Sequence, residues 1–164
     1  MTVPTPQIAL IGCGLWGKNI ARNLAALEAL YAVHDMNAAA AQDFAKAFDA
    51  QVMSFADILN DEEIKGVAIV TSAPTHATLA VQALDAGKAV YIEKPLALTV
   101  ADAEKIAAAA ARNNKEVMVG HLIRHHAAFQ ALLRLVKGGA IGNILHIRAS
   151  RIAAGRIRDT ESVL

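Results

Sequence analysis

The hexapeptide Gly12-Cys13-Gly14-Leu15-Trp16-Gly17 constrains this chain more than any other stretch. It follows an apolar run, Gln7 to Ile11, that reads as a buried strand, and it opens a helical pattern from Leu15 to Leu30. A second short strand, Tyr31 to Val33, is ended by His34 and the acidic Asp35. A glycine turn alone says little, because glycine is common. A glycine turn between strand and helix, with an acid ending the next strand about 20 residues on, is a specific pattern.

The chemistry explains the spacing. Gly12 permits a tight turn, Gly14 lets backbone approach a pyrophosphate closely, and Gly17 lets the helix lie near the strand. The helix N-terminus at Leu15 and Trp16 presents amide N–H groups and a partial positive charge to phosphates. Asp35 is placed to accept hydrogen bonds from the hydroxyls of an adenine ribose. Its charge repels a 2′-phosphate and no arginine follows it, so NAD is expected rather than NADP. Trp16 reads either as a wall of that site or as packing on its own domain. Cys13 reads as a small buried filler rather than a redox nucleophile.

Strand and helix keep alternating downstream. Asn37 caps a predicted helix to about Asp49, Gln51 to Met53 is a third strand, and Ser54 caps a short helix over Phe55 to Leu59. Val67 to Thr71 is a fourth strand, and a helix from Thr75 to Ala86 is closed by Gly87. Ala89 to Ile92 is a fifth strand. Thr99 and Asp102 form the start signal of an alanine-rich helix to about Asn114, and Val117 to Val119 is a sixth strand closed by Gly120. The strands are continuous apolar runs, as expected when helices cover both faces. The fold class is therefore α/β, a Rossmann-type doubly wound parallel sheet over residues 1–120.

Composition narrows the partners. The net charge of +1 offers no basic surface for nucleic acid, and no apolar run is long enough to span a bilayer. The N-terminus lacks the basic start of a secretory signal, and the single cysteine suits a reducing compartment, so a cytoplasmic protein is expected.

A second motif, Glu93-Lys94-Pro95, ends the fifth strand. Ligands of such sheets bind outside the carboxyl ends of the strands, which puts Lys94 near the reactive end of a bound dinucleotide. With the glycine turn, the segments TSAPTHATLAVQALDAGKAV, YIEKPLALT and VMVGHLIRHHAAFQALLRLVKGGAIGNI give the chain its resemblance to the Gfo/Idh/MocA family of oxidoreductases. The wording of GCGLWGKN and GHLIRHHAAF is similar to the branch that oxidises UDP-linked N-acetylated sugars or their uronic acids. The resemblance implies hydride transfer between a nicotinamide and a sugar or sugar-nucleotide carbon. In it Lys94 is the catalytic group, holding the substrate hydroxyl and helping to move its proton. Glu93 positions the cofactor's ribose or the lysine, the Lys94–Pro95 bond is expected to be cis, and Thr71, Ser72, Pro74 and His76 line the cofactor cleft. His76 is better read as making a local hydrogen bond than as a general base. Arg124 is a candidate substrate contact.

The resemblance also implies a second, α+β substrate domain, of which residues 121–164 hold only the incomplete start. An acidic residue and a histidine that complete the catalytic site belong to that domain and are not found here. A non-catalytic NAD-binding module is therefore the competing reading. His121, His125 and His126 lack an accompanying carboxylate or cysteine, so no metal site is expected. Arg148, Arg151, Arg156 and Arg158 form a basic run that suits either a diphosphate or solvent. Ala127 to about Lys137 reads as a helix and Ile144 to Ile152 as a strand without a sheet. That strand is expected to be unformed or to pair with a second copy, making a homo-oligomer.

Overall fold

The structure, a computed structural model, describes residues 5–150. The chain divides into two units, Met1–Leu122 and Ile123–Leu164.

The first unit is a parallel sheet of six strands. In chain order these are β1 (Gln7–Ile11), β2 (Leu30–His34), β3 (Gln51–Val52), β4 (Ile64–Ile69), β5 (Ala89–Ile92) and β6 (Val117–Val119). Their order across the sheet is β3-β2-β1-β4-β5-β6, so the direction of winding reverses between β1 and β4. The connecting helices are α1 (Gly17–Ala26), α2 (Ala38–Phe48), α3 (Phe55–Asn60), α4 (His76–Asp85) and α5 (Val100–Asn113).

Each strand feeds both faces because successive side chains point opposite ways. Ala9, Ile11, Val67, Ile69, Val90 and Ile92 pack with Ile58, Leu84, Ile106 and Ala109 on the face of α3, α4 and α5. Leu10, Val33, Ala68 and Val70 pack with Ala21 and Ala41 on the face of α1 and α2. Half of the buried helix positions are alanine (Ala21, Ala41, Ala80, Ala83 and Ala109).

The starts of the helices follow the sequence signals. Asn37 accepts from the amides of Ala39 and Ala40, Ser54 from Asp57, and Thr99 from Asp102. The ends follow one rule that the sequence hides. Apart from α3, which ends at an extended Asp61, each return from helix to strand passes through a left-handed residue, Glu28 (φ 55°), Asp49 (φ 52°), Gly87 (φ 77°) or Asn114 (φ 48°). The next amide then reaches back five residues: Ala29 to Leu24, Ala50 to Ala45, Lys88 to Ala83 and Lys115 to Ala110.

Two elements differ from expectation. α1 stops at Ala26 instead of Leu30, because Glu28 turns the chain and Leu30 already pairs with Ile8. β4 begins at Ile64 instead of Val67 and ends at Ile69, with Gln7 and Ile8 of β1 pairing to Ile64 and Gly66.

A short 3-10 turn (Leu122–His125) spans the boundary in the sequence, and the second unit holds α6 (Ala127–Lys137), capped by His126 Nδ1 accepting from the Ala128 amide. Residues 144–150 form no strand, and Arg151 and Ile152 lie outside the described residues, as do Arg156 and Arg158. No helix among the described residues is long and apolar enough to cross a membrane.

Candidate dinucleotide site

The register of the sheet builds the site. Ile11 is level with His34 and Ile69, Ile69 with Ile92, and Ile92 with Val119. The next residues, Gly12, Asp35, Val70, Glu93 and Gly120, therefore emerge along one rim. The ladder continues into them: Gly12 N donates to His34 O, Val70 N to Ile11 O, Glu93 N to Ile69 O and Gly120 N to Ile92 O, all at 2.8–2.9 Å.

The glycine turn is fixed from inside. Gly12 has φ +106°, and a Cβ there would lie 2.7 Å from the carbonyl oxygen of Val70. A Cβ on Gly17 would lie 2.2 Å from the Gly12 oxygen. Gly14 is different: a Cβ would meet nothing within 4 Å. Its bareness leaves an open approach to the backbone rather than room for packing. The amides of Leu15 and Trp16, at the entrance of α1, make no hydrogen bond among the described residues. An open glycine, free amides and a helix N-terminus fit a pyrophosphate.

Asp35 is tied to this turn. Its Oδ2 accepts from the Cys13 amide at 2.7 Å and its Oδ1 from the Asn37 amide at 2.8 Å. Each oxygen keeps a further lone pair, so the carboxylate can grip the turn and still accept from ribose hydroxyls. Cys13 is buried with its Sγ near the His34 carbonyl, and burial, reinforced by Asp35, pushes the thiol up to about 12. A thiol held protonated in this way is packing, not a nucleophile.

At the other side of the rim, the Lys94–Pro95 peptide is cis. Lys94 is exposed and its flanks are anchored. On one flank, Glu93 Oε2 accepts from the Lys94 amide at 3.2 Å. On the other, the Pro95 carbonyl lies 2.8 Å from His76 Nδ1. His76 is buried at 1 % exposure, and its Nε2 lies 3.1 Å from the Thr71 carbonyl. The imidazole thus joins the segments that follow β4 and β5. Thr71 and Thr75 share a hydrogen bond at 2.7 Å, and Thr75 Oγ1 donates to the Ser72 carbonyl, which sets the turn through Pro74.

The structure thus brings Gly12, Gly14, Leu15, Trp16, Gly17 and Asp35 to one end of the rim, and Thr71, Ser72, Pro74, Glu93 and Lys94 beside them along it. Arg124 belongs to the second unit, in the 3-10 turn, exposed, with its carbonyl accepting from the Gln130 side chain. Sequence reasoning did not find Tyr91 or Gly120. The Tyr91 hydroxyl donates to Glu93 Oε1 at 2.7 Å, and burial, with Glu93 beside it, pushes the phenol well above its ordinary range. The only sequence signal for Gly120 was its place at the end of β6.

Comparison with known proteins agrees with this geometry. Residues 7–121 match the family model described as an oxidoreductase family with an NAD-binding Rossmann fold. The chain is 35% identical over 146 residues to inositol 2-dehydrogenase 3 of Saccharopolyspora erythraea, covering 86% of this chain and 43% of that protein. Scyllo-inositol dehydrogenase from Lactobacillus casei, solved with NAD(H) and scyllo-inositol, superposes with a TM-score of 0.79 at 27% identity, over 85% of this chain and 43% of that one. UDP-N-acetylglucosamine 3-dehydrogenase from Acidithiobacillus ferrooxidans gives 0.76 at 30% identity, over 80% and 42%. The chain spans less than half the length of these relatives. They include both an enzyme named for a sugar nucleotide and enzymes named for free cyclic polyols.

Proposed function

The chain belongs to the Gfo/Idh/MocA family of oxidoreductases through its NAD-binding Rossmann domain, and on that premise we propose that it is the cofactor half of an NAD-dependent dehydrogenase acting on a hydroxyl carbon of a sugar, cyclic polyol or sugar nucleotide. The observation that carries this reading is the level rim, which sets the glycine turn and Asp35 at one end and Lys94 on the neighbouring strand ends. When bound, NAD supplies the acceptor or donor of hydride.

The chain's own residues have distinct tasks in this reading. The amides of Leu15 and Trp16 and the bare Gly14 backbone hold the phosphates, and Asp35 holds the adenine ribose and turns away a 2′-phosphate. The turn of Thr71, Ser72 and Pro74 walls the cleft, and buried His76 holds that turn to Pro95. Glu93 anchors the main chain of Lys94. Lys94 Nζ hydrogen-bonds the substrate hydroxyl and carries its proton as the carbonyl forms. Arg124 is assigned a substrate contact, as the family resemblance implies. The protein is a cytoplasmic homo-oligomer in the same reading, a location that one buried thiol suits.

Fluorescence titration with NADH and NADPH tests the cofactor site. NADH is expected to bind more tightly, and Asp35→Ala to narrow that preference by about tenfold. Tighter binding of NADPH by the unaltered chain overturns the assignment. For the chemical role, in a protein that carries the complete substrate domain, Lys94→Ala is expected to keep NADH affinity within about threefold while abolishing turnover of myo-inositol or another accepted polyol.

A further inference from the structure

The cluster of Trp16, Tyr91 and Glu93 on the rim does more than anchor the main chain of Lys94. Glu93 is 5 % exposed, and a carboxylate this buried requires partners. Its Oε1 accepts two hydrogen bonds of 2.7 Å, one from the Trp16 indole Nε1 and one from the Tyr91 hydroxyl. Its Oε2 accepts from the Lys94 amide. Room for this carboxylate exists because position 120 is glycine. A Cβ at Gly120 would lie 2.5 Å from the Tyr91 hydroxyl and 2.8 Å from Glu93 Oε1.

The sequence distance matters. Trp16 belongs to the glycine turn and immediately precedes α1, while Glu93 is 77 residues away beside Lys94. The indole is the side chain by which the phosphate turn reaches the Lys94 turn. Because Oε1 has both its lone pairs taken, Glu93 faces inward to these donors.

We propose that Trp16, Glu93 and Tyr91 form a clasp that positions the Lys94 main chain and couples it to occupancy of the glycine turn. The three are positioning residues, and the coupling rests on the reading that the turn takes NAD. Linkage makes the effect reciprocal: a change at Tyr91, which is not on the turn, alters affinity for a dinucleotide that is. Residues of one hydrogen-bonded network also fail to add when changed together.

Trp16 is the single tryptophan of the sequence, so the ¹⁵N-labelled full chain shows one indole N–H resonance. That resonance is recorded with and without NAD⁺ in the unaltered protein, Glu93→Gln and Tyr91→Phe, and NAD⁺ affinity is measured by calorimetry. Tyr91→Phe removes only a hydroxyl and covers the case in which Glu93→Gln does not fold, as judged by circular dichroism. The unaltered indole proton is expected downfield, as for a bond to a carboxylate, and it moves on adding NAD⁺. Both variants shift it, Glu93→Gln upfield because a neutral amide is the weaker acceptor, and both weaken NAD⁺ binding by about threefold to tenfold. Trp16→Phe weakens binding too, and adding Tyr91→Phe to it costs little more.

The clasp is overturned if the indole resonance of both variants coincides with that of the unaltered protein. It is equally overturned if both bind NAD⁺ with unaltered affinity while the unaltered protein responds to NAD⁺. Absence of any NAD⁺ binding, with the variant shifts intact, sinks the dinucleotide reading and the coupling with it, leaving only the static hydrogen bonds.

Discussion

Gly14 and Gly17 lack a side chain for opposite reasons. At Gly17 the added carbon meets the Gly12 carbonyl at 2.2 Å, and neither backbone can yield. At Gly14 it meets nothing, so the cost falls on whatever approaches from outside. Gly17→Ala is therefore expected to lower stability by about 3 kcal/mol, seen as an earlier urea midpoint. Gly14→Ala is expected to unfold like the unaltered protein and to bind NADH about tenfold more weakly. Equal loss of stability in both variants contradicts this division. The glycine turn and the acid at Asp35 were legible through spacing along the chain, and Lys94 was singled out by the family resemblance. It could not show the Trp16–Glu93 bond, which depends on two strand ends finishing level. It also could not show that His76 is drawn inward by two carbonyls, since either orientation of a histidine at a helix start fits the same letters.

At the scale of elements, caps and apolar runs were readable, while returns were not. Only Gly87 among the four left-handed residues announces itself; Glu28, Asp49 and Asn114 are ordinary in helices or their ends, so α1 read too long. The start of β4 was hidden by Lys65, which is exposed, and by Gly66, whose missing side chain lets Ala89 approach. The α4–α5 pair offers an element-scale test. Arg112 makes a two-pronged contact to Asp85, with Nη2 at 2.6 and 2.7 Å from the two oxygens, and Asn113 donates to the same carboxylate. The Arg112 hydrogen bond, then that of Asn113, holds Asp85 below the usual carboxylate range. A depressed folded pKa gives a contribution that is present above the unfolded carboxyl's pKa and disappears as pH falls through the folded one. Arg112→Ala is expected to flatten the acid side of the stability profile, read as urea midpoints from neutral pH downward. The surface location keeps the effect small.

For the whole molecule, ligand and fold are linked. A dinucleotide that binds only the folded first unit stabilises it by about 2.7 kcal/mol at a concentration one hundred times its Kd. Scanning calorimetry with NADH is expected to raise the transition of this unit, and Gly14→Ala to cancel about half of the rise at the same NADH concentration. The two rims of the sheet divide the labour. Ligand groups leave from the carboxyl ends of the strands, while the left-handed returns at Glu28, Asp49, Gly87 and Asn114 enter at the amino ends. Lengthening or regrafting the exposed connection at Glu62 and Glu63, also on the amino side, therefore leaves the chemistry untouched. Such a molecule can gain new surface, for a tether, a sensor or a second recognition loop, on one edge without retuning the other.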